Sequence, residues 1–99
     1  MYKHIQNKMK KSVSVIIPTY NGKELLMKYL PKCEHALQKS SLISDYEIII
    51  VDDCSNDDTL TFLNKSYSHV IKLKNSSNSG FSKTINKGIR HSKMELALL

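Results

Sequence analysis

The chain has 99 residues, enough for one domain with a core but small for a complete α/β enzyme. Hydrophobic residues at 40% and charged residues at 24% describe an ordinary globular balance, which argues against a disordered or membrane-spanning chain. The formal net charge of +6 suits a nucleic-acid surface, an anionic membrane or a phosphate-bearing ligand, and separates none of them.

The first eleven residues form a basic segment with Lys3, Lys8, Lys10 and Lys11. The apolar run after it is stopped by Pro18, too short for a signal h-region or a membrane span, so the cytoplasm is the expected location. The lysine cluster offers a weak attraction to anionic lipid, hence an expected peripheral association with the inner face of a membrane. No aromatics interleave the basic residues and no nucleic-acid module is recognisable, so no nucleic-acid partner is expected. Cys33 and Cys54 are far apart and lack Cys-x-x-Cys spacing, which predicts two reduced thiols.

From residue 12 onward the chain alternates strand and helix. Residues 13–17 read as a strand, and residues 18–22 as the loop into a helix, with Asn21 as its expected cap. Leu26, Leu30, Cys33 and Leu37 recur at steps of four and three, one apolar stripe for a sheet. Pro31 inside that stripe predicts a kink, or a break with Pro31 opening a second short helix. Residues 48–51 are an unbroken β-branched run, the pattern of a strand buried on both faces of a parallel sheet. The run ends abruptly on Asp52 and Asp53, at the strand end where ligands of such sheets sit.

Residues 54–58 supply turn chemistry, and Asp57 or Asp58 is expected to cap a helix that carries Leu60, Leu63 and Tyr67 inward. Residues 70–73 make a third strand. A polar loop, residues 74–80, reads as flexible and opens onto a helix whose expected buried stripe is Phe81, Ile85 and Ile89. A fourth strand begins at residue 95 and no residue remains after Leu99 to finish it.

This alternation predicts an α/β fold with a doubly wound, mainly parallel sheet, right-handed crossovers and three α/β/α layers. Three loops, residues 18–22, 52–58 and 75–80, then converge on one edge, an arrangement that suits a nucleotide. Tyr20 can stack on a base, the Asp53 carboxylate can accept a ring N–H, and the Gly80 helix start with Lys83 can face phosphates. Each residue also has an ordinary explanation: a packed loop aromatic, a solvated acid, a left-handed cap, a solvated lysine.

Three stretches carry a family resemblance: V-S-V-I-I-P-T-Y-N (13–21), I-I-I-V-D-D-C-S-N-D-D-T (48–59) and G-F-S-K-T-I-N-K-G-I (80–89). In order and spacing the chain resembles the N-terminal, nucleotide-binding portion of a family 2 glycosyltransferase of the GT-A fold, over residues 12–99. The resemblance implies a UDP-sugar or dTDP-sugar donor, and a saccharide or lipid-linked acceptor of the kind used in polysaccharide and cell-envelope synthesis. Pro18, Thr19, Tyr20 and Asn21 would line the nucleotide pocket, Asp53 would contact the base with Asp52 supporting it, and Gly80, Asn86 and Gly88 would shape the third loop and helix. Where many members carry an arginine before the asparagine of the third motif, this chain has Ile85, so charge on the diphosphate would fall to Lys83 or Lys87. The third motif is similar to the branch that includes rhamnosyl- and galactofuranosyltransferases.

The resemblance also implies a divalent metal, Mn or Mg, held by an acidic motif just after the fourth strand, and a catalytic base farther on. Leu99 precedes both, so no catalytic residue and no metal ligand is expected within the chain, which reads as a fragment or a truncated gene product. Two rival readings stand beside this one. A non-catalytic nucleotide-binding or interaction module fits the same loops. The I-I-I-V-D-D run also resembles a phosphoacceptor receiver domain, but Ser92 and Lys93 stand where that fold needs its acceptor aspartate.

Overall fold

The computed structural model describes residues 10–98, so most of the basic N-terminal segment, His4 within it, and Leu99 lie outside the described residues. The elements run β1 (Lys11–Thr19), α1 (Lys23–Lys39), β2 (Ile43–Asp52), α2 (Thr59–Ser66), β3 (Ile71–Lys74), α3 (Phe81–His91) and β4 (Leu96–Leu98). All four strands are parallel, in the order β3-β2-β1-β4.

That order follows from the length and hand of the crossovers. The first two connections step outward from β1 to β3, and the third returns past β2 and β1 to place β4 on the far side. A right-handed connection travelling in the opposite direction must cross the opposite face of the sheet. Accordingly the core divides in two. Val13, Val15, Ile48 and Ile50 point at the first face, where Leu26, Leu30 and Leu37 of α1 and Leu63 of α2 cover them. Ile16, Ile49 and Val51 point at the other, packed with Ile71 and Leu73 of β3 and covered by α3. The 48–51 run is buried on both faces, at 4% exposure or less, as its composition predicts.

Two expectations are corrected here. Of the kink or break expected at Pro31, the break does not occur: α1 runs unbroken for 17 residues. The N–H that proline lacks would have served the carbonyl of Met27, and both residues lie on the exposed side, where water replaces the missing donor. Pro31→Ala should raise stability by about 2 kcal/mol, the roughly 3 kcal/mol helix penalty of proline less about 1 kcal/mol of unfolded-chain entropy, measured by urea unfolding. A loss of stability would show that the proline ring itself supports α1.

The second correction concerns α3. Its buried face is Thr84, Ile85 and Gly88, while Phe81 is 70% and Ile89 41% exposed. Gly88 is the reason. The helix lies so close to the sheet that a Cβ at Gly88 would collide with Cγ2 of Ile16 and stand 3.1 Å from Cγ2 of Val51. A stripe centred on a glycine is invisible to apolar periodicity, which counts only side chains.

Candidate functional site

The carboxyl ends of β1, β2 and β3 bring the three predicted loops together, and hydrogen bonds knit them into one surface. Pro18 and Thr19 still belong to β1, and the backbone N–H of Asp53 donates to the Thr19 carbonyl at 2.8 Å, while that of Asn75 donates to Asp52 at 2.8 Å. The strand ladder thus continues one residue past each strand end and sets the relative heights of the loops.

Asn21 does not cap α1, since Gly22 occupies the N-cap position and no side-chain cap bond forms. At φ 50 its backbone takes the left-handed turn that asparagine tolerates, which turns the side chain toward the second loop. There its Oδ1 accepts from the N–H of Asn56 at 2.7 Å and of Asp57 at 3.3 Å, and its own N–H donates to Ser55 Oγ at 2.8 Å. Lys23 adds an ion pair to Asp58 at 2.8 Å, and its hydrogen bond holds the Asp58 carboxyl below the usual carboxylate range. The helix start is therefore tied sideways rather than capped. At α2, Asp58 occupies the N-cap position without a side-chain cap bond, and Asp57 instead accepts from the Thr59 N–H at 3.1 Å and from the Thr59 hydroxyl.

The acid pair splits into two roles. Asp52 is fully buried, and its carboxylate accepts from the Ser55 N–H at 2.9 Å and from the Ser55 hydroxyl, closing the turn after β2. Asp53 turns the other way. Its Oδ1 accepts from Asn75 Nδ2 at 2.9 Å and from the Ser79 N–H at 2.7 Å, and its Oδ2 accepts from the Gly80 N–H at 3.1 Å. The Asn75 amide, followed by Ser79, holds the Asp53 carboxyl below the usual carboxylate range. Asn75 is itself buried and reaches Thr84 Oγ1 at 3.0 Å, and that hydroxyl donates to the Gly80 carbonyl at 2.7 Å. The polar loop of residues 74–80, expected as flexible, is thus fastened to Asp53 through Asn75, Ser79 and Gly80. Gly80 sits at φ 87, a left-handed conformation that glycine takes without strain and that lets the chain turn into α3.

Pro18, Thr19, Tyr20, Asp53, Phe81 and Thr84 line an open cleft of about 240 Å³ above this network. Tyr20, 49% exposed, and Phe81 stand at its rim. Phe81 escaped the sequence reading because the helical stripe claimed it. As the first residue of α3 it overhangs the loop instead of the sheet, and the preceding positive-φ glycine was the available signal. Lys83 is not in this cleft. It lines a separate polar groove of about 270 Å³ with Asn75, Ser79, Asn86, Lys87 and Arg90, and Lys87 there donates to the Lys74 carbonyl at 2.9 Å.

Among the described residues no three His, Cys, Asp or Glu side chains form a group able to hold a metal. The acid pair is already engaged by Ser55, Asn75, Ser79 and Gly80, so these residues do not fit a divalent metal site. Cys33 and Cys54 are free thiols, and burial pushes the Cys33 thiol up. His69 pairs with Glu34 at 2.8 Å and His91 Nδ1 lies 3.0 Å from the Lys87 carbonyl, neither in the cleft lining.

A parallel sheet wound to both sides, with a nucleoside-sized cleft at its carboxyl edge, is the architecture of the GT-A transferases. The chain belongs to glycosyl transferase family 2, whose family profile matches residues 14–99. It is 38% identical over 91 residues to the poly(ribitol-phosphate) beta-N-acetylglucosaminyltransferase TarP of Staphylococcus aureus, covering 86% of this chain and 26% of that protein. It is 34% identical over 85 residues to the undecaprenyl-phosphate 4-deoxy-4-formamido-L-arabinose transferase of Klebsiella pneumoniae, covering 82% and 25%. The S. aureus TarS structure in complex with UDP-GlcNAc superposes with a TM-score of 0.62 at 30% identity, over 83% of this chain and 24% of that one. The mannosyltransferase PcManGT from Pyrobaculum calidifontis, in complex with GDP-Man and Mn2+, shares the fold at a TM-score of 0.69 and 22% identity, over 89% and 26%. The chain therefore spans about a quarter of the length of these relatives.

Proposed function

We propose that the protein carrying this chain transfers a glycosyl group from a nucleoside-diphosphate sugar to a saccharide or lipid-linked acceptor, and that the described residues hold the nucleoside. The observation that carries the reading is the cleft between Tyr20 and Asp53. Asp53 is a carboxylate fixed in place by three donors, with unused lone pairs on Oδ2 for the ring N–H of a uracil or thymine base. Tyr20 offers a ring face beside it, and its hydroxyl accepts from Asn56 Nδ2 at 3.4 Å, which steadies the ring. Asn21 and Asp52 support the site from behind by holding the second loop. A relative named as an N-acetylglucosaminyltransferase, and a neighbour holding UDP-GlcNAc, support a UDP-sugar donor, with a dTDP-sugar as the alternative. Cytoplasmic placement, at the membrane's inner face, remains part of the proposal.

A divalent cation would supply counter-charge to the departing diphosphate. The acid pair, engaged by Ser55, Asn75, Ser79 and Gly80, does not offer it a ligand set. Nor does the cleft contain a histidine or a free carboxylate to deprotonate an acceptor hydroxyl. The 99-residue chain by itself should accordingly bind nucleotide without releasing nucleoside diphosphate from a donor.

Calorimetric titration with UDP and dTDP tests the reading. Saturable binding in roughly the millimolar to high-micromolar range is expected, weakened about fivefold or more by Tyr20→Ala through loss of one stacked face. No saturable binding of any nucleoside diphosphate would sink the proposal. Binding without metal-stimulated donor turnover, in a longer protein that contains this chain, would favour the non-catalytic module.

A further inference from the structure

Among the described residues Phe81 is the most exposed large hydrophobic side chain, yet its place on α3 is on the buried side. At 3.6 residues per turn, Phe81, Thr84, Ile85 and Gly88 fall within an arc of about 100°, and the other three are buried. Gly88 meets Ile16 and Val51 of the sheet. Phe81 comes two turns earlier, about 10 Å along the helix axis, a distance that a strand covers in about three residues. Three residues on from Ile16 is Thr19, the last of β1, and three on from Val51 is already past Asp52, the last of β2. The ring therefore points toward the sheet at a level where the sheet has ended. What it meets in place of strand is the cleft lined by Pro18, Thr19, Tyr20, Asp53 and Thr84.

We propose that Phe81 is a nucleobase-binding residue, the second ring of a clamp in which Tyr20 and Phe81 hold opposite faces of the base, an inference that rests on the nucleotide reading of the cleft. Tyr20 follows Pro18 and Thr19 on the β1 wall, Phe81 stands with Thr84 on the α3 wall, and Asp53 lies between the two. Among the described residues neither ring pairs with another aromatic side chain, so both are free to take a ligand. The base is the part of the nucleotide within reach. Phe81 directly follows Gly80, whose N–H lies 3.1 Å from Asp53 Oδ2, the oxygen left for the ring N–H of the base. A hydrocarbon ring offers no donor to a diphosphate, whereas every base has a π-face to stack. The Gly80 bond also fixes where α3 begins, so the group that reads the edge of the base and the ring that covers its face are held by one tether.

The test titrates the 99-residue chain with UDP, uridine and inorganic pyrophosphate. Phe81→Ala should weaken UDP and uridine about tenfold each, the worth of one stacked face, and leave any pyrophosphate binding unchanged. Because Phe81 is exposed, the variant should fold, and the amide exchange of Ser79 and Gly80 should match that of the wild type. The chain contains no tryptophan, so Phe81→Trp places a single indole at the rim. Its fluorescence should be quenched by UDP along the same saturation curve as the heat of binding, and not by pyrophosphate. The proposal is overturned by UDP affinity indifferent to Phe81→Ala, by an equal loss for pyrophosphate, by loosened exchange at Ser79 and Gly80, which would mean that Phe81 acts through the loop, or by an indole that UDP leaves unquenched. Wild-type chain that binds UDP while Phe81→Ala binds it equally well removes Phe81 alone; wild-type chain that binds no nucleoside diphosphate removes the donor reading and the clamp together.

Discussion

Asp53→Ala should weaken nucleoside diphosphate binding by about tenfold or more while leaving the sheet folded, because one carboxylate both faces the cleft and fastens the third loop. Removing it takes away one of the two acceptors of the Asn75 amide, which keeps Thr84 Oγ1, and leaves the backbone N–H groups of Ser79 and Gly80 without theirs. Asp53→Asn should fall between wild type and alanine. Its amide oxygen can replace Oδ1 for Asn75 and Ser79, but its NH2 would face the Gly80 N–H, donor against donor. Titration of UDP against both variants, with amide hydrogen exchange of residues 76–80, separates the two roles. Unchanged affinity in Asp53→Ala would remove Asp53 from the binding site.

The same carboxylate sets a pH dependence. The hydrogen bond from Asn75, then that from Ser79, holds its pKa below the ordinary carboxylate value, so the folded chain binds this proton more weakly than the unfolded chain. The stabilisation is fully present above the ordinary carboxylate value and is lost as pH falls through the lowered one. Protection of the loop should therefore stay flat from neutrality down to about pH 4 and decline only below it. A decline of that protection centred between about pH 6 and 7 would point to a histidine instead.

Gly88→Val should be the more damaging change to the fold. Already in Gly88→Ala the added methyl meets Ile16 and Val51, both fully buried, and neither can move aside. Overpacking of this kind costs about 1–3 kcal/mol, more than the roughly 1 kcal/mol that alanine returns as a helix former. Valine adds a second branch at the same point and should cost about 3 kcal/mol or more, read by urea unfolding. Gly88→Ala raising the stability would mean that α3 does not sit against the sheet at this distance. Because α3 also carries Thr84 and Phe81 to the cleft, Gly88→Ala should also weaken nucleotide binding.

The elements themselves were legible in the residues. The 48–51 run could only be a strand buried on both faces, and the leucines of α1 recur at helical steps, because burial imposes those periods directly on the side chains. The acid pair at a strand end marked a candidate site, since the carboxyl edge of a parallel sheet is where loops are free to face a ligand. Three things required the tertiary structure. The partners of Asn21 and Asp53 lie on other loops, up to 36 residues away in sequence, and no local pattern encodes a hydrogen bond across that distance. The face that α3 buries is decided by how closely a glycine lets it approach Ile16, which is a property of two elements and not of one. For the same reason Phe81 stands at the cleft rim, although its spacing along the chain suggested a core position, and Lys83 lines the groove beyond Asn75. Periodicity reports which side of an element is apolar; what that side meets is decided only when the elements pack.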